Sequence, residues 1–144
     1  PKATSKAIDT DGWLRTGDLG TLDARGRLRI TGRVKEMIIR GGENLFPAEI
    51  ENVLLEHPDV AEAAVVGIPD ERWGEVVVAF LRPAMGAQLD RTALVTHCRE
   101  RISPQKTPAH WIEIAEWPLT GSGKIQKFVL RDRLIVGEFE SARI

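Results

Sequence analysis

The sequence holds no tyrosine, one cysteine, two methionines and three histidines in 144 residues. The lone Cys98 cannot close an intrachain disulfide. His57, His97 and His110 stand at no ligand spacing, so with a single thiol they make a poor metal-binding set. An excess of either charge sign is missing too. Twenty Lys and Arg balance 21 Asp and Glu, for a formal net charge of −1. Without a basic field to steer it, nucleic acid is not the expected partner. No apolar run approaches the roughly 18 residues that span a membrane. The start, Pro1 to Lys6, lacks the apolar stretch of a signal peptide. These absences predict a cytoplasmic chain. An initiator Met is absent as well, which reads as a chain that begins inside a longer one.

Hydrophobic residues make up 42 % of the chain, sufficient for a core that buries about two thirds of the unfolded surface. Pro1 to Asp11 is polar and irregular. Leu19 to Leu22 and Leu28 to Ile30 read as short strands around a turn at Asp23-Ala24-Arg25-Gly26. Glu36 to Arg40 reads as a third strand, ended by Gly41-Gly42. Pro47 suits the first turn of a helix, with Ile50, Val53, Leu54 and His57 as its inner stripe. Val60–Ile68 and Glu75–Leu81 predict an antiparallel pair of strands. A helix is expected from Asp90 to Ile102, capped by Asp90 or Leu89, with Leu94, Val95, Cys98 and Ile102 facing inward. Trp111 to Ala115 reads as a short strand and Trp117 to Gly123 as a flexible connector. A last helix, Lys127 to Leu134, is expected to touch the body through Phe128, Leu130 or Arg131, and Leu134. The order predicts a small α+β domain of mixed short strands with about three helices.

Single motifs are ambiguous by composition alone. Gly121-Ser122-Gly123 frees the backbone before Lys124, whose ammonium could meet a phosphate or carboxylate. The same residues also suit a plain exposed loop, and Ile125 after the lysine excludes a Walker A reading. Asp18, after Thr16-Gly17, could accept two sugar hydroxyls or make an Asx turn. The charges of Gly32-Arg33-Val34-Lys35-Glu36 suit surface ion pairs as well as a site, and Gly41-Gly42 suits a turn. Trp13, Trp73, Trp111 and Trp117 are scattered, as core or edge residues are. Cys98 falls on an apolar stripe and reads as core.

Taken in order, the same segments are specific. Trp13-Leu14-Arg15-Thr16-Gly17-Asp18-Leu19 resembles the RTGD motif of the adenylate-forming enzymes, the superfamily of acyl-CoA synthetases, nonribosomal peptide adenylation domains and firefly luciferase. Gly32 to Glu51 resembles the hinge of that family and the segment after it. Pro118 to Ile125 resembles its terminal lysine motif. The resemblance covers nearly the whole chain, and Gly41-Gly42-Glu43-Asn44-Leu45-Phe46-Pro47 is most similar to fatty-acyl and related acyl-CoA ligases.

The resemblance implies a two-step reaction. ATP and a carboxylate, fatty in class by the same resemblance, would give an acyl-adenylate, and coenzyme A would then take the acyl group. It implies that Asp18 binds the ribose hydroxyls and that Arg33 holds the ribose side. Lys35 would be the hinge, Gly41, Gly42 and Glu43 would adjoin the pantetheine channel, and Lys124 would stabilise charge during adenylation. Residues 1–34 would end a large N-terminal domain, the missing partner, and residues 35–144 would form a mobile C-terminal domain. Magnesium would accompany ATP with no ligand in this stretch, and the fragment alone would make no adenylate. A fragment dimer and a membrane-peripheral full-length enzyme stay open. So does a carrier protein as the acyl acceptor, or a noncatalytic interaction module. Arg40, Arg99, Arg101, Lys106 and Lys127 are candidates for the CoA phosphates.

Overall fold

The chain is described by a computed structural model over residues 7–144. The first part of the polar start, residues 1–6, lies outside the described residues. Strands β1 (Asp18–Leu22) and β2 (Leu28–Arg33) pair as an antiparallel ribbon of their own. Asp23 closes their turn by accepting the N–H groups of Arg25 and Arg27 at 2.8 and 2.9 Å. A 3-10 turn, Val34–Glu36, leads from the ribbon into β3 (Ile38–Arg40). The expected strand from Glu36 therefore starts later, because the Glu36 carboxylate is drawn aside to Lys127 at 3.0 Å.

The second sheet is built around β6. Strand β3 turns back into β4 (Glu43–Leu45), a strand the sequence reading lacks. Gly41 and Gly42 make this hairpin, with φ of 58 and 86°. A two-residue turn of that kind needs both central residues at positive φ, which favours glycine. Helix α1 (Pro47–Leu55) follows, then β5 (Val60–Asp70) and β6 (Gly74–Pro83). These two strands pair from Val60↔Pro83 to Asp70↔Gly74 and run to the tip of the expected loop. Asp70 caps that tip by accepting from Arg72 and Trp73 at 2.9 and 2.8 Å.

The other edge of β6 is shared. β7 (His110–Glu113) lies parallel to Val78–Leu81, and β3 meets Gly74 through Arg40. A parallel neighbour needs a crossover, which α2 (Arg91–Arg99) supplies. Asp90 is its cap, accepting from Thr92 N at 2.9 Å. The helix ends at Arg99 rather than Ile102, whose N–H bonds Cys98 O in a closing turn. Helix α3 (Lys127–Ile135) comes last, before a short 3-10 turn at Glu140–Ala142.

Both faces of the sheet are covered. Val65, Val77, Ala79, Leu81 and Trp111 pack under α1 and α2, against Ile50, Leu54, Leu94 and Cys98. Ala64, Val66, Val78, Phe80 and Ile112 pack under α3, against Leu130, Leu134 and Phe139. Strands covered on both faces read as unbroken apolar runs, which explains Val76 to Leu81. Phe80 is fully buried with its ring 5.2 Å from that of Phe139, so truncation to alanine would cost about 3–5 kcal/mol. Phe128, an expected contact of the last helix, instead points outward at 65 % exposure. Leu130 and Leu134 take the inner stripe, and Phe128 does not share their face. No helix among the described residues is long and apolar enough to cross a membrane.

Candidate functional site

A cleft of about 650 Å³ opens between the end of the ribbon and the start of α3. Arg33, Lys35 and Glu36 line one side, Thr120, Lys124 and Phe128 the other, and Val65 to Gly67 the floor. Lys124 and Lys35 make no ion pair among the described residues, so both ammonium groups are free for an anion.

Lys124 is not on a flexible connector. Leu119 bridges Ile125, Thr120 N–H donates to Lys124 O at 2.8 Å, and Gly123 N–H donates to Thr120 O at 2.9 Å. The Thr120 hydroxyl accepts from Lys124 N at 3.1 Å and lies 2.9 Å from the Ser122 hydroxyl. Gly123 takes a φ of 79° to close the turn. Local composition suggested looseness, but Thr120 ties both ends of the turn together. The backbone under the lysine is held, and only its side chain is left to reach.

On the ribbon, Arg33 Nε donates to Asp18 Oδ1 at 3.1 Å, so Asp18 joins the cleft through its neighbour. One Asp18 oxygen stays available as an acceptor, and charge-assisted bonds to hydroxyls are among the stronger ones. Gly41, Gly42 and Glu43 do not line this cleft. They sit on the β3–β4 hairpin, where Gly41 N–H donates to Trp73 O at 2.8 Å. A Cβ on Gly41 would lie 3.2 Å from the Trp73 indole, so the close approach as well as the φ requires glycine. The candidate residues thus fall into two places, the lysine cleft and the glycine hairpin.

Four of the five cations considered for phosphate binding have partners inside the fold. Lys106 pairs with Glu49 at 2.7 Å, Arg101 with Glu100 and Glu56, and Lys127 with Glu36 and Glu51. Arg40 donates to Gln105 O and lies over the Trp73 ring at 5.6 Å. Arg99 has no ion pair among the described residues. Sequence reading missed Thr120, Glu51, Glu75 and Trp73 as supports of the two places. The partners of Glu51, Glu75 and Trp73 lie far along the chain, while those of Thr120, Lys124 and Ser122, are local. Among the described residues no cluster of three His, Cys, Asp or Glu side chains is placed to hold a metal ion.

The chain as a whole has counterparts among known proteins. Residues 49–124 match the AMP-binding enzyme C-terminal domain. The chain belongs to that family, within the adenylate-forming enzymes. It is similar to the mitochondrial medium-chain acyl-CoA ligase ACSF2 of Mus musculus, 45 % identical over 134 residues, covering 93 % of this chain and 22 % of that protein. The fold matches ATP-bound MatB from Rhodopseudomonas palustris with a TM-score of 0.85 at 36 % identity, over 92 % of this chain and 26 % of that one. It also matches o-succinylbenzoate CoA synthetase, MenE, from Bacillus subtilis in complex with the acyl-adenylate intermediate OSB-AMP. That match has a TM-score of 0.80 at 42 % identity, over 90 % of this chain and 25 % of MenE. The chain spans about a quarter of the length of these relatives.

Proposed function

We propose that this chain is the C-terminal portion of an ATP-dependent acid–thiol ligase. The parent protein joins a carboxylic acid to AMP, releases pyrophosphate, and passes the acyl group to coenzyme A. The acid is fatty in class, on the likeness to a medium-chain acyl-CoA ligase. The observation that carries the reading is Lys124, which has no ion pair among the described residues and is held on a hydrogen-bonded turn at the cleft that Arg33 also lines.

In this reading the Lys124 ammonium stabilises negative charge on the carboxylate and α-phosphate as the adenylate forms. Asp18 accepts ribose hydroxyls, and Arg33 steadies Asp18. Residues 1–34 close the large domain that holds most of the nucleotide and the acid, and residues 35–144 swing about Lys35. The swing exchanges the lysine cleft for the Gly41–Gly42 hairpin, with Glu43 beside it, along which the pantetheine arm runs. The likeness to ATP-bound MatB and adenylate-bound MenE supports ATP as the co-substrate. Names of CoA ligases among the relatives favour coenzyme A over a carrier protein as acceptor.

The test is pyrophosphate release and thioester formation by the full-length protein with ATP, a panel of fatty acids and CoA. Adenylate and acyl-CoA are the expected products. Thioester found only on a carrier protein would replace the CoA reading, and no acid-dependent pyrophosphate would end the ligase reading. The fragment alone is expected to release none.

A further inference from the structure

The segment leaving the proposed pivot is tied to the helix that follows Lys124. Glu36, next to Lys35, accepts from Lys127 Nζ at 3.0 Å. The same ammonium lies 2.7 Å from Glu51 Oε1, an oxygen that also accepts the Val65 N–H at 2.7 Å. The Lys127 and Glu51 side chains keep only 20 and 16 % exposure, so salt screens this contact weakly. Farther along, Ile39 N–H donates to Glu75 Oε2 at 2.8 Å, and Arg131 Nη2 lies 3.7 Å from Glu75 Oε1. Lys127 and Arg131 stand one turn apart on α3, so a single helix face reaches both anchors.

We propose that Lys127 is a positioning residue that confines the pivot to Lys35. This rests on the ligase reading above. A hinge works when a few residues absorb the backbone change and everything beyond them moves as one body. The 3-10 turn Val34–Glu36 buries no residue and has no side-chain cap. Its last residue is held by the Lys127 grip, and without that grip the bending spreads past Glu36. Lys124 would then reach the adenylation site less well placed, and displacements of about 1 Å already cost up to about a hundredfold in rate. Lys127 lines the same cleft, but Glu36 and Glu51 already pair its ammonium.

The experiment uses the full-length protein with Glu36→Gln, Lys127→Met and Lys127→Arg. It reads deuterium uptake over residues 33–40, single-turnover adenylate formation, and thioester formation from preformed adenylate. Glu36→Gln and Lys127→Met are expected to raise uptake and to slow adenylation about tenfold, with the KM for ATP within about twofold of wild type. The thioester step stays near wild type, because the Gly41–Gly42 hairpin is held by the β3–β4 ladder and Trp73 instead. Lys127→Arg restores uptake and rate. Unchanged uptake in Glu36→Gln overturns the grip, and raised uptake with an unchanged adenylation rate overturns the positioning role. Where Lys127→Met does not fold, Glu36→Gln decides, since it keeps the Lys127–Glu51 contact. A wild-type protein that makes no adenylate fails the ligase reading and the positioning role built on it, while the uptake arm still decides the grip.

Discussion

Arg33 and Asp18 stand opposite each other in the β1–β2 ladder, and the Arg33 guanidinium donates to the Asp18 carboxylate at 3.1 Å. The contact is mostly open to water, with 60 % of the Arg33 side chain exposed. Such a pair contributes about 0–1 kcal/mol to stability. Under the proposed function its value lies in aiming the second Asp18 oxygen at the ribose. Asp18→Ala in the full-length protein should raise the KM for ATP about 10- to 100-fold, the worth of a charge-assisted bond. The melting temperature should barely move. An unchanged KM beside an intact fold would remove Asp18 from the nucleotide site.

Lys124→Ala should cut adenylate formation by about two to three orders of magnitude, the usual cost of removing one charge-stabilising donor. Transfer from preformed adenylate to CoA should be largely spared. Thr120→Val keeps the lysine but removes the hydroxyl that Lys124 N–H and Ser122 contact. An intermediate loss is expected there. Rapid-quench assays of the two half-reactions would separate these cases, and equal losses in both would contradict two alternating faces.

Gly41 sits at a φ of 58° with the Trp73 indole 3.2 Å from where a Cβ would be. Gly41→Ala therefore meets backbone strain of about 1–2 kcal/mol and a steric contact as well. Gly42→Ala meets the strain alone, since nothing lies within 4 Å of its Cβ. Urea titration should rank Gly41→Ala below Gly42→Ala in stability. Adding Trp73→Ala should narrow the difference between them.

Burial, with smaller contributions from Arg143 and Arg91, holds the His110 imidazole below its ordinary value of 6.5. The native state thus prefers neutral His110, while the unfolded chain takes up its proton first as pH falls. This part of the stability is intact above about pH 6.5 and is lost as pH falls below it toward the depressed native value. Melting curves of wild type and His110→Gln between pH 8 and pH 5 should show the gap closing, or reversing, in the variant's favour on the acid side. A constant gap would mean that His110 titrates alike in both states.

Cys98 is fully enclosed under α1 and α2, and burial pushes its thiol up to about 11. Thiolate is the reactive form. A colorimetric disulfide reagent at pH 8 should leave the native chain unlabelled and should titrate one thiol once urea unfolds it. Rapid labelling of the native chain would show that the α1–α2 face opens easily.

Local rules read much of the scaffold from the residues alone. Pro47 set the start of α1, Asp90 capped α2, and the runs Val60 to Ile68 and Glu75 to Leu81 paired as expected. What local rules missed was long-range. Glu36 left the strand because Lys127, 91 positions on, holds its carboxylate. Strand β4 was hidden because three residues, Glu43 to Leu45, carry too short a pattern to distinguish from a loop. Phe128 was assigned inward by its apolar character, yet the helix period turns it to the cleft.

The candidate site divides in the same way. Resemblance of the ordered motifs to those of the adenylate-forming enzymes singled out Asp18, Arg33, Lys35, Gly41, Gly42, Glu43 and Lys124, where each motif alone was ambiguous. Only the tertiary structure decided which of them share a place. It put Arg33, Lys35 and Lys124 around one cleft and set the two glycines apart, against Trp73. It also spent most of the free-looking cations on internal partners. The physical reason is range. Backbone freedom, capping and apolar period act over a few neighbours and are written in them. Ion pairing and close packing join residues that the sheet brings together from far along the chain.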